Sequence, residues 1–158
     1  MTMKSLALTT MAAIMAFAAG AAAQQYGAPI SVDNAKKAAA AAVAEARKNN
    51  WSMAFAVMDT GGHLVYFEKM DGTQTGSVNV AIGKARSAAL FRRPTKAFED
   101  VVAGGGAGLR ILALEGAVPV EGGVPIVMDG KIVGSIGASG GTGQQDAQCA
   151  KAGADAVK

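Results

Sequence analysis

Apolar positions in this chain recur with two different periods, and the alternation between them predicts the elements. In "AKKAAAAAVAEARKNN" the residues Ala35, Ala39, Val43 and Ala46 fall on one stripe of a 3.6-residue repeat, with Lys36, Lys37, Glu45 and Lys48 largely off it. That predicts a helix capped by Ser31 or Asp33 and ended by Asn49-Asn50. "WSMAFAVMD" is a buried-strand run, "TGG" is turn chemistry, and "HLVYFEKM" returns as a second strand, which makes a hairpin with His63 at its mouth. Val78, Ile82, Ala85 and Ala89 restore helical spacing in "SVNVAIGKARSAALFRR" until Pro94 stops it. Thr95 is placed to cap a short helix, "KAFEDVVA". "GGGAG" at 104–108 reads as a loop, "LRILALEG" as a strand, and "GGVPIVMDGKIVGSIGAS" as two more strands around Asp129-Gly130. Thr142 with Gln145 fits a capping box opening a last helix.

The predicted order is α-β-β-α-α-β-β-β-α. Without regular β-α-β alternation it implies an α/β (α+β) sandwich around a mainly antiparallel sheet, not a doubly wound one. The phrase "VMD" followed by a turn and a strand occurs in both hairpins. Shared turn vocabulary accounts for the repetition, with Met58 and Met128 as core fillers.

The first 23 residues do not belong to that pattern. Lys4 precedes an apolar run from Leu6 to Ala19, and Ala21-Ala22-Ala23 has the small-x-small form of a signal-peptidase site. The run is too short and alanine-rich for a membrane span of about 20 strongly apolar residues. The expectation is a cleaved signal over 1–23, a single domain over 24–158, a periplasmic or secreted address and no stable membrane anchor. Without Lys4, fourteen Lys and Arg face twelve acids, a balance too mild to argue for nucleic acid. Cys149 is the one cysteine, so no intramolecular disulfide forms.

Several residues invite chemistry. "GASGG" at 137–141 matches G-x-S-x-G, but the sole histidine lies upstream of Ser139, which does not suit a hydrolase nucleophile. The same loop, with Ser139, Gly140 and Gly141 ahead of a helix, suits a carboxylate or phosphate held by backbone N–H groups. A plain strand-to-helix turn is the alternative. His63 with one distant cysteine cannot make a zinc site, though Asp59 and Glu68 lie near it for a loosely held cation. Haem asks for less, one axial ligand and an apolar slot, and His63 and the methionines are the natural ligands on chemical grounds. An exposed turn histidine is the alternative. Arg86 and Arg93 lie on one side of the second helix, with Lys84, Arg92 and Lys96 expected at the same end. Such cations stabilise a helix C-terminus, and they also suit propionates or other carboxylates.

"VMDTGGHLVYFEKMDG", "VAIGKARSAALFRRPT" and "EGGVPIVMDGKIVGSIGASGGTGQQDAQCAKAGADAV", in this order, resemble the GlcG/HbpS-type haem-binding family. That family is also similar to the C-terminal domain of PduO-type corrinoid adenosyltransferases. The resemblance runs from about Ile30 to Val157, and its last block is the most specific. It implies a profilin-like three-layer fold, homo-oligomers from dimers up to octamers, and haem binding in some exported members. It further implies an iron-holding threonine, matched here by Thr95 in "RRPT", and iron ions near the first hairpin, matched by Asp59 with His63. Gly62 stands where a second carboxylate would help such an ion site.

The leading expectation is therefore an exported haem-binding protein that sequesters, stores or relays haem, with corrinoid a less favoured cofactor. Thr95 or His63 would hold the iron, Phe91 and Phe98 would line the slot, and Arg92 and Arg93 would meet the propionates. The competing expectation is an enzyme or accessory factor holding a small organic acid at residues 137–143. No clear acid–base pair supports an enzyme. A ligand-free partner of a membrane sensor or transporter is the third.

Overall fold

The computed structural model describes residues 24–158. The expected signal segment, 1–23, lies outside the described residues. Helix α1 (Val32–Lys48) leads to the hairpin β1 (Ala54–Asp59) and β2 (Leu64–Lys69). Helices α2 (Ser77–Phe91) and α3 (Lys96–Ala103) follow, then a 3₁₀ segment (Gly106–Ala113), β3 (Gly123–Met128), β4 (Lys131–Ser139) and α4 (Gly143–Asp155). The four strands form one antiparallel sheet in the order β2-β1-β4-β3. Pro125 lies on β3, an edge strand, where a missing N–H is tolerated.

Alternation along β1 assigns the two faces. Phe55 and Val57 join Ile136, Ala138 and the α1 and α4 residues Ala35, Ala38, Ala42, Cys149 and Ala150 in one buried cluster. Ala54, Ala56 and Met58 face the other way, onto Ala81, Ala85 and Ala89 of α2. The result is three layers, helix pair, sheet, helix, as the element order predicts. Small residues set how close the layers come. A Cβ at Gly137 would stand 2.3 Å from the Ala81 carbonyl oxygen, and one at Gly153 2.7 Å from that of Ala38. On this second face Ser135 donates to the Ala85 carbonyl at 2.5 Å, so its buried hydroxyl is satisfied.

Ser31 caps α1 through the Asn34 N–H, and Thr142 and Gln145 complete the capping box of α4, both as the sequence predicts. Two expectations fail. "LRILALEG" is not a strand: residues 106–113 wind as a 3₁₀ helix with no buried residue, so the apolar run does not enter the sheet. Thr95 stands at the start of α3 without a side-chain capping bond, because its hydroxyl is used elsewhere.

The segment before α1 is tied in. Gly27 and Ile30 donate to Ile132 and Val133 at the start of β4. The Tyr26 hydroxyl reaches the end of α2 and donates to the Ala89 carbonyl at 2.6 Å. It thereby satisfies one of the carbonyls a helix end leaves open.

Candidate functional site

The hairpin mouth is organised by Asp59. Its Oδ1 accepts from the backbone N–H of Gly61 (2.8 Å) and of His63 (2.9 Å), and its Oδ2 lies 3.3 Å from His63 Nδ1. Partial burial would raise the Asp59 carboxyl, but the hydrogen bonds donated by His63 and Gly61 outweigh it and hold the group below the usual aspartate value. An ionised carboxylate only accepts, so the proton of a neutral imidazole sits on Nδ1. Nε2 then carries the lone pair, and the His63 side chain is 82% exposed. A Cβ at Gly61 would lie 2.8 Å from the ring, so the bare glycine is what lets the imidazole fold over the turn.

The turn is docked on the last part of α2. Arg86 Nε donates to the Gly62 carbonyl at 3.1 Å. A side chain on Gly62 would meet Arg86 and Leu90 at 3.2 Å. Residues 86 and 90 share a helix face, so His63 is presented beside an arginine and a half-exposed leucine.

The cations predicted to crowd one helix end are dispersed. Lys84 turns inward, 1% exposed, and its ammonium donates to Asp146 Oδ2 (2.7 Å) and the Ala138 carbonyl (3.3 Å). Burial pushes the Asp146 carboxyl above its usual value, while Lys84 and the Gly141 N–H pull against it. Lys96 pairs with Asp100 and Glu99. Arg92, in the left-handed conformation that ends α2, lies over the Tyr26 ring at 5.6 Å and donates to the Gln24 carbonyl at 3.3 Å. Arg93 covers the Phe98 ring at 5.4 Å. Among the described residues Arg86, Arg92 and Arg93 take part in no ion pair.

Three candidate groups sit in surroundings of their own. Thr95 is fully buried, and its Oγ1 accepts the Gly123 N–H at 2.9 Å. Phe98 is buried too and meets Phe91 edge-on at 5.2 Å, which makes the pair a packed corner and not an open slot. The loop 137–143 already holds an anion of the protein's own. Gly141 N–H donates to Asp146 Oδ1 (3.0 Å), Thr142 N–H to Gln145 (2.9 Å), and the Ser139 hydroxyl, buried, donates to Ser77 (3.1 Å). An external organic acid would have to displace Asp146. Asp59 is likewise committed to its turn, and among the described residues no three His, Cys, Asp or Glu side chains group to hold a metal ion.

The sequence gives no sign of the Lys84–Asp146 pair. Lys84 reads as one more cation at a helix end, and only the close approach of α2 and α4 to β4 buries it. Away from these residues, a cleft of about 410 Å³ is lined by Pro29, Ile30, Asn34, Met128, Lys131 and others between the N-terminal segment and the β3–β4 turn.

Comparison with known proteins agrees with this architecture. The family described as "Haem degrading protein HbpS-like" matches residues 30–155. Protein GlcG of Escherichia coli (strain K12) is 46% identical over 100 residues, 63% of this chain and 73% of that protein. The crystal structure of HbpS superposes with a TM-score of 0.77 at 29% identity, covering 85% of this chain and 94% of that one. A crystal structure of a PduOC:heme complex does so at 0.74 and 26% identity, covering 82% and 96%.

Proposed function

The chain belongs to the HbpS-like family, and from that premise we propose that it binds haem at the hairpin mouth, with His63 Nε2 as the axial ligand. The observation that carries this reading is the Asp59–His63 contact, which fixes the imidazole with Nδ1 turned to the carboxylate and Nε2 turned out. Metal-bound histidines are commonly held this way by a carboxylate on the second nitrogen. The residues beside the turn suit the rest of a porphyrin. Leu64 and Leu90 are exposed apolar side chains, and Arg86, which holds the Gly62 carbonyl, is free of a carboxylate partner among the described residues, as are Arg92 and Arg93 past the end of α2. Haem supplies an iron with an axial position for a neutral nitrogen; the protein supplies orientation, apolar contact and cations for the propionates.

This reading gives sequestration, storage or relay of haem, in a periplasmic or secreted protein that functions as a homo-oligomer. The Ala21-Ala22-Ala23 site supports export, and the exposed apolar side chains around the 3₁₀ segment support association. Titration of the purified protein with haemin tests the binding. A Soret shift that saturates with the wild type and Thr95→Ser but is lost in His63→Ala is expected. An unshifted wild-type spectrum at micromolar haemin, or one insensitive to His63→Ala, rejects the assignment.

A further inference from the structure

We propose that Gln24, once export removes residues 1–23, closes on itself to a pyroglutamate, so that the mature chain begins with a neutral lactam beside Arg92. This rests on the export reading above and adds a modification site.

The sequence places a glutamine where the new terminus falls. Ala21-Ala22-Ala23 is followed by Gln24 and Gln25, and cleavage after the last alanine frees the α-amine of Gln24. A terminal glutamine carries its amide carbon at the spacing where its own α-nitrogen closes a five-membered ring. The nitrogen attacks Cδ, the N–Cδ bond forms, the Cδ–Nε2 bond breaks, and Nε2 leaves as ammonia with the proton given up by the amine. No oxidant or co-reactant enters the step.

The fold leaves these atoms open and fixes the chain directly after them. The Gln25 carbonyl accepts the Ile132 N–H at 2.9 Å, Tyr26 forms a bridge with Ile132, and the Tyr26 hydroxyl donates to the Ala89 carbonyl. The chain is therefore anchored one residue inside its new end. Gln24 itself is exposed, and among the described residues the one hydrogen bond that reaches it is on its carbonyl, from Arg92 Nη1 at 3.3 Å. The guanidinium is steadied there over the Tyr26 ring. An uncyclised terminus sets an ammonium, with a pKa of about 7.7–8.0, two bonds from the carbonyl carbon whose oxygen Arg92 holds. Two like charges so close repel, and the cation favours the neutral amine, which is the form that attacks. The lactam removes the terminal charge, keeps the carbonyl for Arg92 and leaves no free amine for an aminopeptidase.

Intact-mass spectrometry and Edman sequencing test this on protein exported by a bacterial host from the full chain, wild type and Gln24→Asn. Asparagine keeps a primary amide but is one methylene too short for the ring. The expected wild type has the mass of residues 24–158 less one ammonia, and it resists Edman degradation until pyroglutamyl aminopeptidase has acted on the denatured chain. Gln24→Asn is expected at full mass with a free amine at residue 24. A wild type that retains residues 1–23 rejects the export reading and this inference with it. One that starts elsewhere, at Ala22 for example, rejects the site while export stands. A wild type that starts at Gln24 with its ammonia retained rejects the ring closure alone. Loss of ammonia from Gln24→Asn as well places the loss outside residue 24 and overturns the assignment.

Discussion

Asp59 and His63 are bound to each other twice: one carboxylate oxygen accepts the His63 backbone N–H at 2.9 Å, and the other faces its Nδ1 at 3.3 Å. The first contact shapes the turn and the second aims the ring, so the two roles separate on mutation. Asp59→Asn keeps the shape of the side chain and an oxygen for the turn, but it removes the charge that holds Nδ1–H. Haemin affinity is expected to fall about 10- to 100-fold, the usual effect of losing a ligand's supporting group, with His63→Ala abolishing binding. Equilibrium haemin titrations of the three proteins measure the order.

The same carboxylate predicts a pH effect on stability. Its folded value lies below the usual aspartate value, so ionisation favours the folded state. The contribution is complete above the unfolded aspartate pKa of about 3.9 and is lost as pH falls through the folded value. The melting-temperature gap between wild type and Asp59→Asn should therefore close as pH falls below about 4. Thermal melts from pH 3 to 5 decide this, and a gap that persists at pH 3 contradicts it.

The buried Lys84–Asp146 pair makes a prediction with two arms. Lys84→Ala leaves a carboxylate between α4 and the sheet with its ammonium gone, and this should cost about 3–5 kcal/mol. Lys84→Met with Asp146→Leu removes both charges and should recover much of that loss, because the attraction of a buried pair is largely spent on desolvation. Urea unfolding of the single and double variants measures the difference. The Gly141 N–H, which Asp146 now satisfies, sets the limit on recovery.

Close layer packing gives a contrast between glycines. Gly137→Ala places a methyl 2.3 Å from the Ala81 carbonyl and 2.5 Å from the Ala85 N–H, all backbone, so α2 must move. A loss of about 3 kcal/mol or more is expected, at or above the upper end of ordinary overpacking. Gly130→Ala, at φ +73° with open space around it, incurs only the left-handed backbone penalty of about 1–2 kcal/mol. Denaturation midpoints of the two variants rank them.

Periodicity made most of the fold legible, because each buried face repeats along one element: the alanine stripe of α1, the alternation of β1, the boxed cap of α4. The hairpin mouth was legible as well, since Asp59, the glycines and His63 are adjacent in sequence. What stayed hidden depends on contacts between distant segments. "LRILAL" has the composition of a strand, yet it winds as a 3₁₀ ridge outside the sheet. Lys84 reads as a surface cation until Asp146, 62 residues later, is brought to 2.7 Å. The glycine-rich loop reads as a place for an external anion, whereas its Gly141 N–H is taken by Asp146, five residues later.

Thr95 separates a structural role from a ligand role most sharply. Its hydroxyl accepts the buried Gly123 N–H, so Thr95→Val, nearly equal in volume, strands that donor and should cost about 1–3 kcal/mol. Thr95→Ser keeps the acceptor and should lose less. If iron were held by this oxygen, Val and Ser would instead be distinguished by the haemin spectrum, with stability changing little. Paired urea and haemin titrations on both variants therefore oppose the two roles directly. The buried position of Thr95 beneath Gly123 predicts a large stability difference, together with a Soret shift that still depends on His63.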